Sequence, residues 1–404
     1  NRSYVPVGTS LCHLSRPHGP KEELHMSAIY NVQDVCCVSL ELSKSTWVCA
    51  FQAPGEDKAS VHNLPARDIA GLEKVLRRLL HATEVRLARP LQMVVCHEAG
   101  YDGFWISRSL VARDFNVIVF DPASFLRPRR GRVAKTDRLD ATGMCRTLRC
   151  WLGGDRSVAS SVRIQSVEEE DAKRIGRERK YLIQQRSRVV SRIKGLLALH
   201  GIYVDVKGIG KRLTSVLTSL KTAEGVELPK FIRRDIERMV QHWKLLAEQI
   251  ATVDKERAEA IRSEATFPHA DKVSRLSKMG GVGEISATVL VAEVYHRKFG
   301  SRRHLASFIG LAPSPYSSGE TSRDRGINKA GTKLARCTLV ELAWFWLRYQ
   351  PQSELSQWWH QRFGKAGMRG RKVGIVALAR KIAIALWRYV EFGVIPAGAT
   401  LKAE

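Results

Sequence analysis

Apolar positions along residues 32–53 fall into two β-like runs, 38–42 and 46–51, separated by Ser43, Lys44 and Ser45. That spacing predicts a hairpin with Glu41 inside its first strand. A short third run surrounds Val61. Over 68–81, Ile69, Leu72, Leu76 and then Leu79 or Leu80 recur at helical spacing. Residues 91–96 form a continuous apolar run suited to a buried strand, followed at once by His97, Glu98, Ala99 and Gly100. Residues 101–113 read as a helix, 115–120 as a strand and 135–151 as a helix.

Beyond residue 160 the period changes. Ile232, Ile236, Met239, Trp243, Leu246, Ile250 and Val253 step alternately by four and three, a heptad seam, and 171–200 forms a more basic helical partner. The glycine-containing break over 201–210 makes these an antiparallel helical pair. The seam can pack within the chain or between two copies, because periodicity does not name the partner. Near Lys278 the composition shifts again. Met279, Gly280, Gly281, Val282 and Gly283 precede an apolar helix over 285–294, as either a simple turn or a turn that offers backbone amides to phosphate. Residues 308–313 lead into a polar loop, Ser314 to Glu320, then a basic loop with Arg323, Arg325, Lys329, Lys333 and Arg336, and a closing helix over 339–349. Trp344, Trp346, Trp358 and Trp359 read as core or as surfaces for stacking bases.

The N-terminal order of three strands, helix, strand, helix, strand, helix is that of a ribonuclease-H-like domain. In such a sheet the first and fourth strands are adjacent, which would bring Glu41 and Glu98 to one edge. Asp137 and Asp140 are three apart, so on a helix they share a side. Clustered carboxylates repel one another and favour a divalent cation between them; oxygen ligands suit magnesium or manganese, which serve phosphodiester chemistry. Taken alone, Asp137 and Asp140 equally fit acids that complement a helix dipole. Glu41 is harder to explain that way, since burying an unpaired carboxylate in an apolar strand is costly.

Charge narrows the partner. The 404 residues carry 66 Lys and Arg against 40 Asp and Glu, a net charge of +26, which points to a polyanion and first to nucleic acid. No apolar stretch reaches the roughly 20 residues needed to span a bilayer, so a membrane role is excluded from the reading. The eight cysteines form no C-x-x-C pair and several sit in apolar runs, as expected of a reduced cytoplasmic protein without structural zinc. Residues 1–27 lack periodicity and a signal-peptide core; they read as a leader, disordered or not native, with Met26 as a candidate start. The remaining divisions are a catalytic α/β domain over 28–155, a helical coiled-coil region over 160–268 and a mainly helical domain over 270–395.

Several of these runs carry a family likeness. Leu40 to Trp47, His97 to Asp102, and Lys135 to Ala141 resemble the amino-terminal motifs of the DEDD insertion-sequence transposases of the "one-ten" family, related to the Piv invertases. Gly310 to Pro313, Tyr316 to Gly319, Gly326 to Gly331 and Ala377 to Lys381 resemble that family's second domain, so the likeness spans about 35–392. The resemblance implies a RuvC-like metal site made by Glu41, Glu98, Asp137 and Asp140 and a nucleophile at Ser318, with Ser317 as the neighbouring candidate. It implies excision and insertion of DNA through a phosphoserine link, with DNA as donor and target and with a structured guide RNA from the element's ends. Glu41 departs from the family's usual aspartate, moving the carboxylate by about one methylene. Synapsis of two duplexes leads us to expect a tetramer of two dimers, working at the bacterial nucleoid. Two other functions use the same features: a RuvC-type junction nuclease that activates water, and a binding protein with a silent site.

Overall fold

The structure is a computed structural model in which residues 30–125, 136–204, 217, 220–318 and 321–402 are described. It is a mixed α/β chain that divides into two compact units, the first ending at Gln165 and the second beginning at Ser166. Among the described residues no helix is long and apolar enough to cross a membrane.

The first unit is built on one sheet. Strands β1 (Val35–Leu42), β2 (Thr46–Gln52) and β3 (Ser60–Pro65) are antiparallel, and β4 (Gln92–Glu98) and β5 (Asn116–Phe120) run parallel to β1, in the order β3-β2-β1-β4-β5-β6. The two-residue β6 (Ser161–Val162), which carries no sequence signal, pairs antiparallel with β5 at the edge. Helix α1 (Ile69–Leu87) lies between β3 and β4 in the chain, and α2 (Trp105–Val111) between β4 and β5. The Asp68 carboxylate starts α1 by accepting from the Gly71 amide.

Alternation along the strands sorts the sheet's two faces. Val38, Leu40, Trp47 and Cys49 pack with Leu72 and Leu76 of α1 and Ile106 and Leu110 of α2. Val35, Cys37, Val94 and Cys96 pack on the other face with Ala141, Met144, Cys145 and Leu148 of α3 (Asp137–Leu152). Leu72, Leu76 and Leu148 are fully buried, each contributing about 1.5–3 kcal/mol of burial free energy.

In the second unit α4 (Val167–Ala198) and α5 (Lys230–Ala260) pair along their length. Ion pairs Arg179–Asp254 at 2.7 Å and Arg192–Asp235 at 3.3 Å fix the antiparallel direction. The seam residues Ile236, Met239, Leu246, Ile250 and Val253 are buried with Leu182, Val189, Ile193 and Leu197. The heptad pattern is therefore used within the chain. Helices α6 (Ala270–Ser277), α7 (Glu284–Leu290) with a π turn at Val291–Tyr295, α8 (Arg302–Phe308), α9 (Lys333–Tyr349), α10 (Glu354–Phe363) and α11 (Met368–Phe392) complete the unit. Leu276, Leu290, Tyr295, Leu339, Trp346, Leu378 and Leu386 form its core. Trp346 is fully buried and its ring N–H reaches Ser353 at 2.8 Å, Trp359 is buried, and Trp344 is half exposed.

One open alternative closes here and two expectations change. The Gly280–Gly283 turn is a packing turn: the amides of Gly280 and Val282 donate to the carbonyls of Thr400 and Met279, and Gly281, at φ +81°, leaves a Cβ only 3.2 Å from that of Tyr349. The stretch expected to be a polar loop and a basic loop is a hairpin, β7 (Pro313–Ser318) with β8 (Thr321–Ile327). Its proline-rich, small polar sequence lacks the apolar alternation that marks a strand, so backbone pairing alone defines it. Helix α9 begins at Lys333, earlier than expected, with Thr332 accepting from the Ala335 amide at 3.0 Å. Lys333 and Arg336 therefore stand on its first turn and not in a loop.

Candidate active site

The first unit builds an acidic edge from strand register and one buried hydroxyl. Parallel pairing sets Leu40 opposite His97, so the next step along each strand brings Glu41 beside Glu98 at the ends of β1 and β4. By alternation Glu41 shares a face with Cys37 and Ser39, and Glu98 with Val94 and Cys96; this is the face that carries α3. Ser39 is fully buried and its Oγ donates to the Ala141 carbonyl at 2.6 Å, while the Cys145 thiol donates to the Cys37 carbonyl at 3.3 Å. The helix thus runs back along β1, with residue 141 over 39 and residue 145 over 37. Its first turn, with exposed Asp137 and half-buried Asp140, continues toward the end of β1 that bears Glu41. Thr136 caps that turn through the Leu139 amide at 3.2 Å. Lys135, the first residue of the helix motif, lies outside the described residues.

Four carboxylates are the donor chemistry that a hard divalent cation takes. Strand register sets Glu41 beside Glu98 and the helix bearing Asp137 and Asp140 starts toward that end of β1, but among the described residues no three His, Cys, Asp or Glu side chains stand in position to hold an ion. In chemistry, the four carboxylates fit such an ion.

His97 supports this edge from the opposite face. It is 1% exposed, with Nδ1 at 2.9 Å from the Glu98 carbonyl and Nε2 at 2.7 Å from Ser107 Oγ on α2. A carbonyl can only accept, so Nδ1 carries a proton, and in the neutral ring Nε2 then accepts from the serine hydroxyl. Burial favours that neutral form by lowering the ring's pKa. Neither Ser39 nor His97 was assigned a role from the sequence. Their signal was a polar side chain within an apolar run.

The predicted nucleophile belongs to the second unit. Backbone pairing sets Ser318 opposite Thr321 and Ser317 opposite Ser322, next to the hairpin tip. Gly319 lies outside the described residues. Arg323 pairs through its backbone with Tyr316, and exposed Arg325 stacks its guanidinium 4.0 Å from the Tyr316 ring. The base of the hairpin is tightly closed. Gly310 and Gly331 have φ of +74° and +68°, and a Cβ on either would collide with the Ala330 or the Phe308 carbonyl. Arg336 donates to the carbonyls of Ala330 and Gly331, so it braces the loop that also holds Lys329 at φ +58°.

Comparison with known proteins places these features in a class. The Transposase IS116/IS110/IS902 family is matched over residues 273–357, from α6 through the serine hairpin into α10. "Putative transposase y4rJ" of Sinorhizobium fredii is 39% identical over 397 residues, covering 96% of this chain and 98% of that protein. "Transposase for insertion sequence element IS1328" of Yersinia enterocolitica is 27% identical over 299 residues, covering 73% and 82%. The class is that of insertion-sequence transposases, enzymes that act on DNA. This chain belongs to the IS116/IS110/IS902 transposase family, the "one-ten" family that its motifs resemble.

Proposed function

We propose that this transposase cuts and rejoins DNA through a covalent serine link, assisted by the four acids of the first unit. Ser318 Oγ attacks a DNA phosphate; an oxygen–phosphorus bond to serine forms as the bond to the neighbouring strand end breaks. The serine proton is lost and the departing oxygen is protonated to a free hydroxyl. Because the link conserves the phosphoester, attack by a strand hydroxyl reverses it and rejoining needs no nucleotide cofactor. Glu41, Glu98, Asp137 and Asp140 would hold magnesium or manganese, which when bound activates a weak nucleophile and stabilises charge on the leaving oxygen. Arg323, Arg325, Lys329 and Lys333 hold the phosphate backbone, which gives affinity without reading sequence. Sequence choice falls to base pairing with a structured RNA from the element's ends. The working form is a tetramer of two dimers at the nucleoid in the bacterial cytoplasm.

What supports this reading most is the Ser39–Ala141 hydrogen bond, by which the helix bearing Asp137 and Asp140 starts toward the strand ends bearing Glu41 and Glu98. The strand order, with three antiparallel strands continued by two parallel ones, supports a ribonuclease-H-like domain of RuvC type. The test is a denaturing gel of protein co-expressed with complete element ends and any RNA they encode. A protein–DNA adduct is expected for the parent and Ser317→Ala and is lost in Ser318→Ala and Asp137→Ala. Removing a nucleophile or its activating group costs about a thousandfold or more. Cleavage without an adduct in every lane would replace this mechanism with water-using nuclease chemistry.

A further inference from the structure

In and beside the helical pair, several arginines are matched by carboxylates. Arg179, Arg192 and Arg233 each reach a carboxylate at 3.3 Å or less. Residues 355–390 break that habit: they contain eight Lys and Arg and no Asp or Glu. Five of the eight, Arg362, Lys365, Arg369, Arg371 and Lys372, crowd the end of α10, the turn that follows and the start of α11, and all five are exposed. None of the five pairs with a carboxylate among the described residues. Among the described residues Arg371 donates from Nη2 to the Gly364 carbonyl at 2.8 Å, and the Arg362 guanidinium lies 6.0 Å from the Phe363 ring.

Folding does not require this arrangement. Like charges this close repel, and cations in the first turn of α11 oppose the helix dipole. The aromatic packing of the turn does not use Lys365, Arg369, Arg371 or Lys372: Phe363 packs edge-on against Trp358 at 5.7 Å, and a Cβ on Gly374 would meet the Phe363 ring at 2.5 Å. We propose that the α10–α11 turn is a second DNA-contacting surface, separate from the serine hairpin, that grips the phosphates of duplex DNA without reading its sequence. A polyanion turns the repulsion into attraction and releases counterions. Duplex is the form the surface fits, because a site for unpaired strands needs exposed aromatic platforms, and here Phe363 is turned inward between Trp358 and Gly374.

The inference rests on the charge of the surface and on DNA as the family's substrate, and not on Ser318 or the acids. Binding is therefore measured without metal, on a duplex probe, across a range of salt. The quadruple variant Arg362→Gln/Lys365→Gln/Arg369→Gln/Lys372→Gln leaves the Arg371 cap in place, and an unchanged melting curve establishes that it is folded. Its log Kd against log salt is expected to flatten by roughly three, with binding weakened about tenfold or more at physiological salt. The charge-preserving variant Arg362→Lys/Arg369→Lys should bind like the parent. An unchanged slope in the quadruple variant overturns the proposal. So does a loss confined to a folded RNA probe with duplex binding intact, which would give the surface to RNA.

Discussion

The acidic edge and the serine hairpin are made in opposite ways. Glu41 and Glu98 owe their proximity to the pairing of strands more than 50 residues apart in sequence, and the helix carrying Asp137 and Asp140 is tied to β1 by a hydroxyl bonded across 102 residues. The hairpin carrying Ser318 is local: 15 residues from Pro313 to Ile327, closed at its base by Gly310, Gly331 and Arg336. A two-stranded hairpin is marginal alone, so its position depends on that base. The acids are held by a core, and the serine by a clasp. Substitutions in the core should misplace the acids only slightly, and those at the clasp should release the serine altogether.

The clasp provides the largest effect short of the nucleophile itself. Gly331→Ala places a Cβ against the Phe308 carbonyl at a positive φ, a strain of about 1–3 kcal/mol before the collision is counted. Hydrogen exchange should show the 313–327 amides losing protection while those of β1 and β4 keep theirs, and adduct formation should fall with them. Equal loss of protection in both units would break the comparison.

Next comes Ser39→Ala. It removes one buried hydrogen bond and should lower stability by only about 1 kcal/mol, yet adduct formation should fall by more than that loss explains, because the first turn of α3 is no longer tied to β1. Thermal melting and adduct yield on the same protein separate the two. A variant with lowered stability and full activity would mean that core packing alone positions the acids.

How much of this was legible beforehand follows the same division. Strand order, the Glu41 and Glu98 positions and the shared side of Asp137 and Asp140 were readable, because period-2 and period-3.6 patterns survive in apolar strands and an amphipathic helix. The β7–β8 hairpin was not, since Pro313, Ser314, Pro315 and Ser317 offer no alternation to read. The start of α9 was hidden by Lys333 and Arg336 in its first turn, where acids are the usual signal. The seam on α5 and the helix beside it were visible, but whether the seam packs within the chain or between copies was not, because periodicity does not name the partner. Ser39 and His97 were legible only as residue types, because a hydrogen bond across 102 residues leaves no mark in local sequence.

The smallest effect is a pH dependence. Burial holds the His97 pKa below its ordinary value, so the folded protein keeps the ring neutral where the unfolded chain would protonate it. Its contribution to stability is complete above the ordinary histidine value of about 6.5 and is lost as pH falls from there through the lowered folded value. His62, His269 and His304 shift in the same direction, so the measurement is the difference in unfolding free energy between parent and His97→Gln across pH 5 to 8. The gap should narrow toward acid pH. A constant gap would show that the ring is not held neutral at the β4 edge.

The most direct test of the central claim is to trap the adduct, digest the protein and locate the attached nucleotide by mass spectrometry. The account predicts a nucleotide on the peptide containing Ser318, at Ser318 itself, and none in protein carrying Asp137→Ala. A nucleotide on any other residue, or cleaved DNA with no modified peptide, would contradict it.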